Sequence, residues 1–201
     1  MSKPSGSIRY GEIERETNET KISVVLDLDG GSRRDIATGI GFFDHMLQLF
    51  AFHGEIDLGM KAEGDLHVDD HHTVEDCGIC LGQAFRQAIA HDKAFRRYAS
   101  VHLPMDEALV LVAVDLSGRG LLVMDADFKR EWIGGLATEC IHEFFRAFAQ
   151  NAGITLHIRK IAGENDHHVA EAMFKGFGCA IRMAVEPVDR NGPSSTKGSL
   201  D

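Results

Sequence analysis

Two stretches of the chain carry the same six-residue pattern, Asp70-His71-His72-Thr73-Val74-Glu75 and Asp166-His167-His168-Val169-Ala170-Glu171. Imidazole nitrogens and carboxylate oxygens together are ligands for divalent transition metals. A histidine four residues before a glutamate on a helix shares its face, whereas the next histidine points about 100° away, so one ion cannot easily use all three. Adjacent histidines are therefore expected to serve different ions. One ion would take His71, Glu75 and His168, the other His167, Glu171 and His72, each drawing on both copies of the pattern and gaining one further ligand from a preceding helix. His45 is the candidate for the first ion, and His142 or Glu143 for the second. Asp70 and Asp166 stand where a helix N-cap belongs and are expected to cap. Cys77-x-x-Cys80 lies inside a helical stretch with no second cysteine pair, which argues against zinc-knuckle or redox use.

These groups need elements to hold them. Ile22, Val24, Leu26 and Leu28 alternate ahead of Asp29-Gly30-Gly31-Ser32, which reads as a strand entering a hairpin. Phe43, Met46, Leu47, Leu49 and Phe50 recur at helical spacing and Gly54 closes that helix, which carries His45. A half-buried strand over 55–63 and a helix from about His72 to Ala90 follow. The same order then repeats: alternation through Leu109, Leu111 and Ala113 to Ser117-Gly118, a helix around 138–150 ended near Gly153, a strand over 154–160, and a last helix from about His167 to Val185. The six-residue pattern recurs 96 positions later within this shared plan, so the chain reads as an internal duplication with halves at 1–93 and 94–186. The Gly/Pro/Ser-rich stretch 187–201 reads as a flexible tail.

At 201 residues the chain can bury a real core. Its four irregularly spaced cysteines do not make a disulfide framework, and no apolar leader follows the polar start; both point to a reducing, cytoplasmic setting. No apolar run approaches the roughly 20 residues needed to cross a bilayer. A net charge of −10 argues against a nucleic-acid partner, so an anionic ligand must be met by local cations or by metal. Rival readings are a dinuclear metallohydrolase, which histidine dominance disfavours, and a metal-storage assembly.

Gly41-Phe42-Phe43-Asp44-His45-Met46, Asp70-His71-His72-Thr73-Val74-Glu75-Asp76, and Asn165-Asp166-His167-His168 with Glu171 and Phe174-Lys175 resemble the imidazoleglycerol-phosphate dehydratase family over nearly the whole chain. The closing Pro193-Ser194-Ser195-Thr196-Lys197-Gly198 is similar to that family's terminal segment, which turns the tail from frayed to substrate-binding. The resemblance implies an α+β fold in which each duplicated half packs two helices on one face of a four-stranded sheet. It implies two manganese ions per active site and a homo-oligomeric shell of twenty-four subunits with sites between chains. Its ligands fall on His45, His71, Glu75 and His168 for one ion and His72, His167 and Glu171 for the other. Several relatives have histidine at the position of Glu143, so this chain departs there. Substrate contacts carry over onto Glu19, Arg97, Arg119, Lys175, Ser195, Thr196 and Lys197; two arginines and a lysine suit a phosphate monoester in an otherwise acidic protein. The implied reaction is dehydration of imidazoleglycerol phosphate to imidazole acetol phosphate through a metal-bound imidazolate. Glu19 is the chosen proton carrier, and His72 and Glu171 are the other catalytic candidates, Glu171 being the more suited to ligation.

Overall fold

The computed structural model describes residues 9–31, 33–90 and 94–189. In the first half β1 (Tyr10–Glu16) and β2 (Thr20–Asp27) pair antiparallel. β2 also pairs antiparallel with β4 (Asp57–Gly64), whose far edge takes β3 (Arg34–Ala37) in parallel. The order is β1-β2-β4-β3. Ile22, Val24 and Leu26 alternate into the core, as a strand with one covered face requires. The turn beginning at Asp29 does not close a hairpin, contrary to the expectation from its glycines. Asp57 Oδ1 accepts hydrogen bonds from the backbone of Gly31 and Arg33, both at 2.8 Å, and so draws the chain past β2 to the outer edge of β4.

The second half repeats the plan. β5 (Tyr98–Met105), β6 (Ala108–Asp115), β10 (Thr155–Ala162) and β7 (Leu121–Asp125) form a sheet of order β5-β6-β10-β7, again with one parallel pair at the edge. A two-residue pair, β8 (Trp132–Ile133) and β9 (Leu136–Ala137), leads into the third helix. The helices are α1 (Gly41–Gly54), α2 (His71–Ile89), α3 (Thr138–Ala152) and α4 (Asp166–Ala184). The fold is α+β, with two four-stranded sheets and four helices among the described residues.

Each half's helices lie on its own sheet, but their closest helical neighbours belong to the other half: α2 packs on α3, and α1 on α4. Glycines permit both approaches. A Cβ on Gly82 of α2 would stand 2.7 Å from the Phe148 carbonyl oxygen, and one on Gly178 of α4 would stand 2.4 Å from that of Phe50. Gly82 and Gly178 are themselves 96 positions apart, so the duplication repeats the contact as well as the metal-type pattern. The paired helices run the same way. Asp70 at the start of α2 meets Ala137 and Cys140 at the start of α3, and Gln83 further along meets Asn151. Phe43 and Phe50 of α1 touch Phe144 and Phe148 of α3 in the same order. All four N-termini therefore open at one end of the molecule. Between the sheets, Phe50 and Phe177 stack with ring centroids 4.9 Å apart, and Phe50–Phe148, Phe145–Phe177 and Phe148–Phe177 meet edge-on at 5.0–6.5 Å. Such rings each bury enough area to contribute about 2–3 kcal/mol, and their pairwise geometry adds to that.

The helix ends part from expectation in detail. α3 ends on Gly153 in the left-handed conformation (φ 69°), as a C-terminal glycine should, but in α1 the left-handed residue is Glu55 (φ 53°), one past Gly54. No helix among the described residues is long and apolar enough to cross a membrane.

Candidate metal centre

Two clusters form where the helices begin. His71 and Glu75 of α2 converge with Glu143 of α3, and His45 of α1 converges with His167 and Glu171 of α4. Helical spacing puts each His-x-x-x-Glu pair on one face, and the cross-half packing supplies the third member. Each cluster thus draws on both halves, but through different helices from those the sequence suggests. His45 stands with His167 and Glu171 rather than with His71, because α1 packs on α4. Glu143 stands with His71 and Glu75 for the matching reason. His142, the alternative to Glu143, is outside both clusters: its ring is half exposed, with Nδ1 3.3 Å from Glu143 Oε1.

The neighbouring histidines turn away. The His71 and His72 rings are 6.2 Å apart and inclined at 88°, and those of His167 and His168 are 6.2 Å apart and inclined at 89°. This is the divergence expected of adjacent helical positions. His72 Nδ1 lies 3.1 Å from Asp65 Oδ2 and 3.9 Å from Glu19 Oε2. His168 Nδ1 lies 2.7 Å from Glu107 Oε2. Within one chain, then, His168 does not join His71, nor does His72 join His167, as the sequence scheme had them do. Each faces strand-end carboxylates of its own half, and the hydrogen bond it donates to that carboxylate raises its pKa above the usual imidazole value. Glu107, bonded chiefly to His168, is held down at about 2.

Glu171 is the most constrained carboxylate. Oε1 is 3.0 Å from His45 Nε2 and 3.1 Å from His167 Nε2, and Oε2 accepts from Lys175 Nζ at 2.5 Å. Burial opposes its charge, but the bonds from Lys175, His45 and His167 outweigh that and bring its carboxyl to about 2. Burial likewise opposes the charge on Glu143, yet Arg146 and His142 keep its carboxyl below the usual range. Two imidazoles with one carboxylate, and one imidazole with two, are donor sets that fit divalent transition ions.

Asp70 and Asp166 do not cap, contrary to expectation. Asp70 Oδ2 accepts from Ala137 N at 2.7 Å, and Asp166 Oδ2 accepts from Lys129 N at 2.9 Å and Arg130 N at 2.8 Å. Both are buried. The residue before each takes the capping role: Asp69 Oδ1 accepts from His71 N at 3.2 Å and Asn165 Oδ1 from His167 N at 3.0 Å. The pattern's aspartates therefore tie the start of each of these histidine-bearing helices to a neighbouring segment of backbone.

Of the residues carried over as substrate contacts, Glu19 sits beside His72 and Lys175 beside Glu171. Arg97 and Arg119 are elsewhere. Arg97 N donates to Ala184 O at the far end of α4, about 25 Å along that helix from His167. Its guanidinium pairs with Asp115 through Nε–Oδ1 at 2.7 Å, and its φ of 80° is a strained value held by these bonds. Arg119 is exposed in the connection between β6 and β7, beside the close approach of Gly118 to Gly153. Ser195, Thr196 and Lys197 lie outside the described residues. Sequence reasoning missed Arg146, whose Nη2 lies 2.6 Å from Glu75 Oε1 and 2.5 Å from Glu143 Oε2. Its one sequence signal is the i,i+3 spacing from Glu143.

Residues 38–181 match the family model for imidazoleglycerol-phosphate dehydratase. The imidazoleglycerol-phosphate dehydratase of Acetivibrio thermocellus is 57% identical over 193 residues, 96% of this chain and 99% of that protein. That of Methylorubrum extorquens is 53% identical over 195 residues, 96% of this chain and all of that protein. The crystal structure of the Staphylococcus aureus enzyme superposes with a TM-score of 0.82 at 40% identity, covering 89% of this chain and 99% of that one. The Pyrococcus furiosus enzyme, crystallised with (S)-C348, gives 0.81 at 39% identity, covering 92% and 99%. With the duplicated histidine pattern, the four-helix core and full-length relatives in agreement, the chain belongs to the imidazoleglycerol-phosphate dehydratase family, hydro-lyases of histidine biosynthesis.

Proposed function

We propose that this chain dehydrates imidazoleglycerol phosphate to imidazole acetol phosphate with two manganese ions per active site, in sites shared between chains of a cytoplasmic homo-oligomer of twenty-four subunits. The observation that carries the reading is the pair of His/Glu clusters at one end of the molecule, each with a further histidine turned outward beside it. His71, Glu75 and Glu143 would hold one ion and His45, His167 and Glu171 the other. His168 and His72, directed away from their own chain's clusters, are suited to completing those of neighbouring chains. The position of Arg97 supports the same arrangement, because about 25 Å of α4 separates it from the clusters of its own chain. A phosphate bound there would belong to a substrate whose ring is held by another chain. Ser195, Thr196 and Lys197 are assigned to that phosphate by family resemblance alone.

The proton to be lost has no carbonyl beside it, so the imidazole ring must accept the electrons. Bound divalent cations would supply that, stabilising the ring as its imidazolate while the neighbouring hydroxyl departs. The chain's own groups do the rest. Glu19, more than half exposed at the tip of the β1–β2 turn and 3.9 Å from His72 Nδ1, is the group we assign to removing the carbon-bound proton. The resulting enol gives the ketone. Glu171 is fully engaged by two imidazoles and an ammonium group, which suits a ligand better than a base. Lys175, 15% exposed on its side chain and bonded to that carboxylate, and Arg146, bonded to Glu75 and Glu143, are cations at the ring-binding end.

Imidazole-rich sites hold zinc more tightly than manganese, but carboxylate oxygen shifts the balance toward the harder ion, and Glu143 supplies a second carboxylate to the first cluster. The test is ketone formation from imidazoleglycerol phosphate by protein stripped with a chelator and reloaded. Manganese is expected to restore turnover. Restoration by zinc and not by manganese would overturn the metal assignment, and no ketone with either ion would overturn the function.

A further inference from the structure

The two clusters solve one problem in different ways. In the His45–His167–Glu171 cluster the Glu171 carboxylate is divided, one oxygen to the imidazoles and the other to Lys175, which stands one helical turn further along α4. One turn beyond Glu75 on α2 is Ile79, which offers no donor. The cation comes instead from the other half. Arg146 on α3 donates through Nη2 to Glu75 Oε1 at 2.6 Å and through Nε to Glu143 Oε2 at 2.7 Å, and its Nη1 is steadied by Gln150 Oε1 at 3.2 Å.

That division leaves Glu75 Oε2 facing His71 Nε2 at 3.9 Å. The separation is too long for a hydrogen bond. It lies within the span, at most about 4.2 Å, that two ligand atoms can have around one ion about 2.1 Å from each. The planar guanidinium can hold two carboxylates at once in fixed directions, which an ammonium at the end of a flexible stem does less well.

Resting on the two-metal reading above, we infer that Arg146 is the positioning residue of the first metal site. It fixes one oxygen each of Glu75 and Glu143 so that the remaining Glu75 oxygen would be free to hold the ion together with His71, the task Lys175 performs for Glu171. The two sites are then chemically unequal. From its own chain the first draws two carboxylates, one imidazole and a guanidinium, and the second one carboxylate, two imidazoles and an ammonium. The oxygen-rich first site is the one that prefers the harder cation.

The test is a titration of the chelator-stripped, full-length assembly with Mn2+ alone, followed by calorimetry and by the electron paramagnetic resonance of the free ion. Wild-type protein is expected to take two ions per chain. Groups that orient a metal's ligands commonly carry about 10–100-fold in affinity, so Arg146→Met should weaken one binding step by that factor and leave the other in place. Arg146→Lys, which keeps the charge and loses the fork, should recover only part. In a Glu171→Ala background a single step should remain, and it should be the one that Arg146→Met weakens. Two unaltered steps in Arg146→Met would overturn the inference, as would a tighter first step, which would make the guanidinium a competitor of the ion. Equal weakening of both steps would overturn it too, since the effect would then be one of α3 packing. Should the methionine variant not fold, as judged by its melting curve, Arg146→Lys carries the same comparison. Wild-type protein that binds no Mn2+ would remove the two-metal reading itself, a result distinct from an Arg146 variant with a wild-type isotherm.

Discussion

Glu19 and Glu171 are both carboxylates at the same end of the molecule, and their surroundings assign them different work. Glu171 is buried and spends both oxygens on imidazoles and an ammonium group. Glu19 is exposed, with His72 its one ionic neighbour among the described residues. Glu19→Gln is therefore expected to keep the metal content of the purified protein and to lower turnover by roughly 10²–10⁴-fold, the usual scale of a lost proton-transfer group. Elemental analysis alongside ketone formation checks it, and unchanged turnover would reject the role. The paired histidines and their glutamates were legible because a doubled local pattern needs no tertiary knowledge. Arg146 was not, because its partner Glu75 lies 71 positions away. The capping roles were misplaced by one residue for a related reason. Asp70 and Asp166 look like caps until the backbone of Ala137, Lys129 and Arg130 claims them.

Among elements, the deciding contacts are those where a helix of one half lies on a helix of the other with no side chain between. A methyl group on Gly178 would press on the Phe50 carbonyl oxygen at 2.4 Å and the Gly54 nitrogen at 2.9 Å, atoms of backbone that cannot swing aside. Exposed helix interiors gain about 1 kcal/mol from glycine to alanine. Overpacking of this kind costs about 1–3 kcal/mol or more and should win. Gly178→Ala is thus expected to lower the urea midpoint of unfolding, and an unchanged or raised midpoint would contradict the close approach. The four helices and the strands β2, β4 and β10 were visible in the sequence through their apolar periodicity; β6 was too, but its core face is Ala108, Val110, Val112 and Val114 rather than the alternating Leu109, Leu111 and Ala113, because both faces of that strand are apolar. The edge strands β1, β3, β5 and β7 were not. β3 is four residues long, β7 five, and each pairs in parallel with a partner distant in sequence. The turn at Asp29 was misjudged because its destination is set by the Asp57 carboxylate, which no local rule anticipates.

At the scale of the molecule, the family's duplicated architecture could be anticipated from one repeated pattern, but not which helix of one half meets which of the other. That choice moved His45 from one cluster to its counterpart. The proposed sharing of sites predicts complementation. His72→Ala and Arg97→Ala chains should each assemble into inactive oligomers, because each removes one contribution from every site. Co-assembled from a mixture, they should regain part of the activity, since some sites would draw an intact His72 from one chain and an intact Arg97 from another. No recovery in mixed oligomers whose composition is verified by native mass spectrometry would place both residues in the same chain's site. The common direction of the helices has a separate electrostatic result. Each N-terminus presents a partial positive charge of about half an elementary unit, and four of them open toward Glu75, Glu143 and Glu171. This contribution comes from peptide dipoles, so it neither titrates nor depends on side-chain rotamers. An edge that looks strongly acidic from its residue types is therefore milder in potential, and a phosphorylated molecule approaching it meets less repulsion than the net charge of the chain suggests.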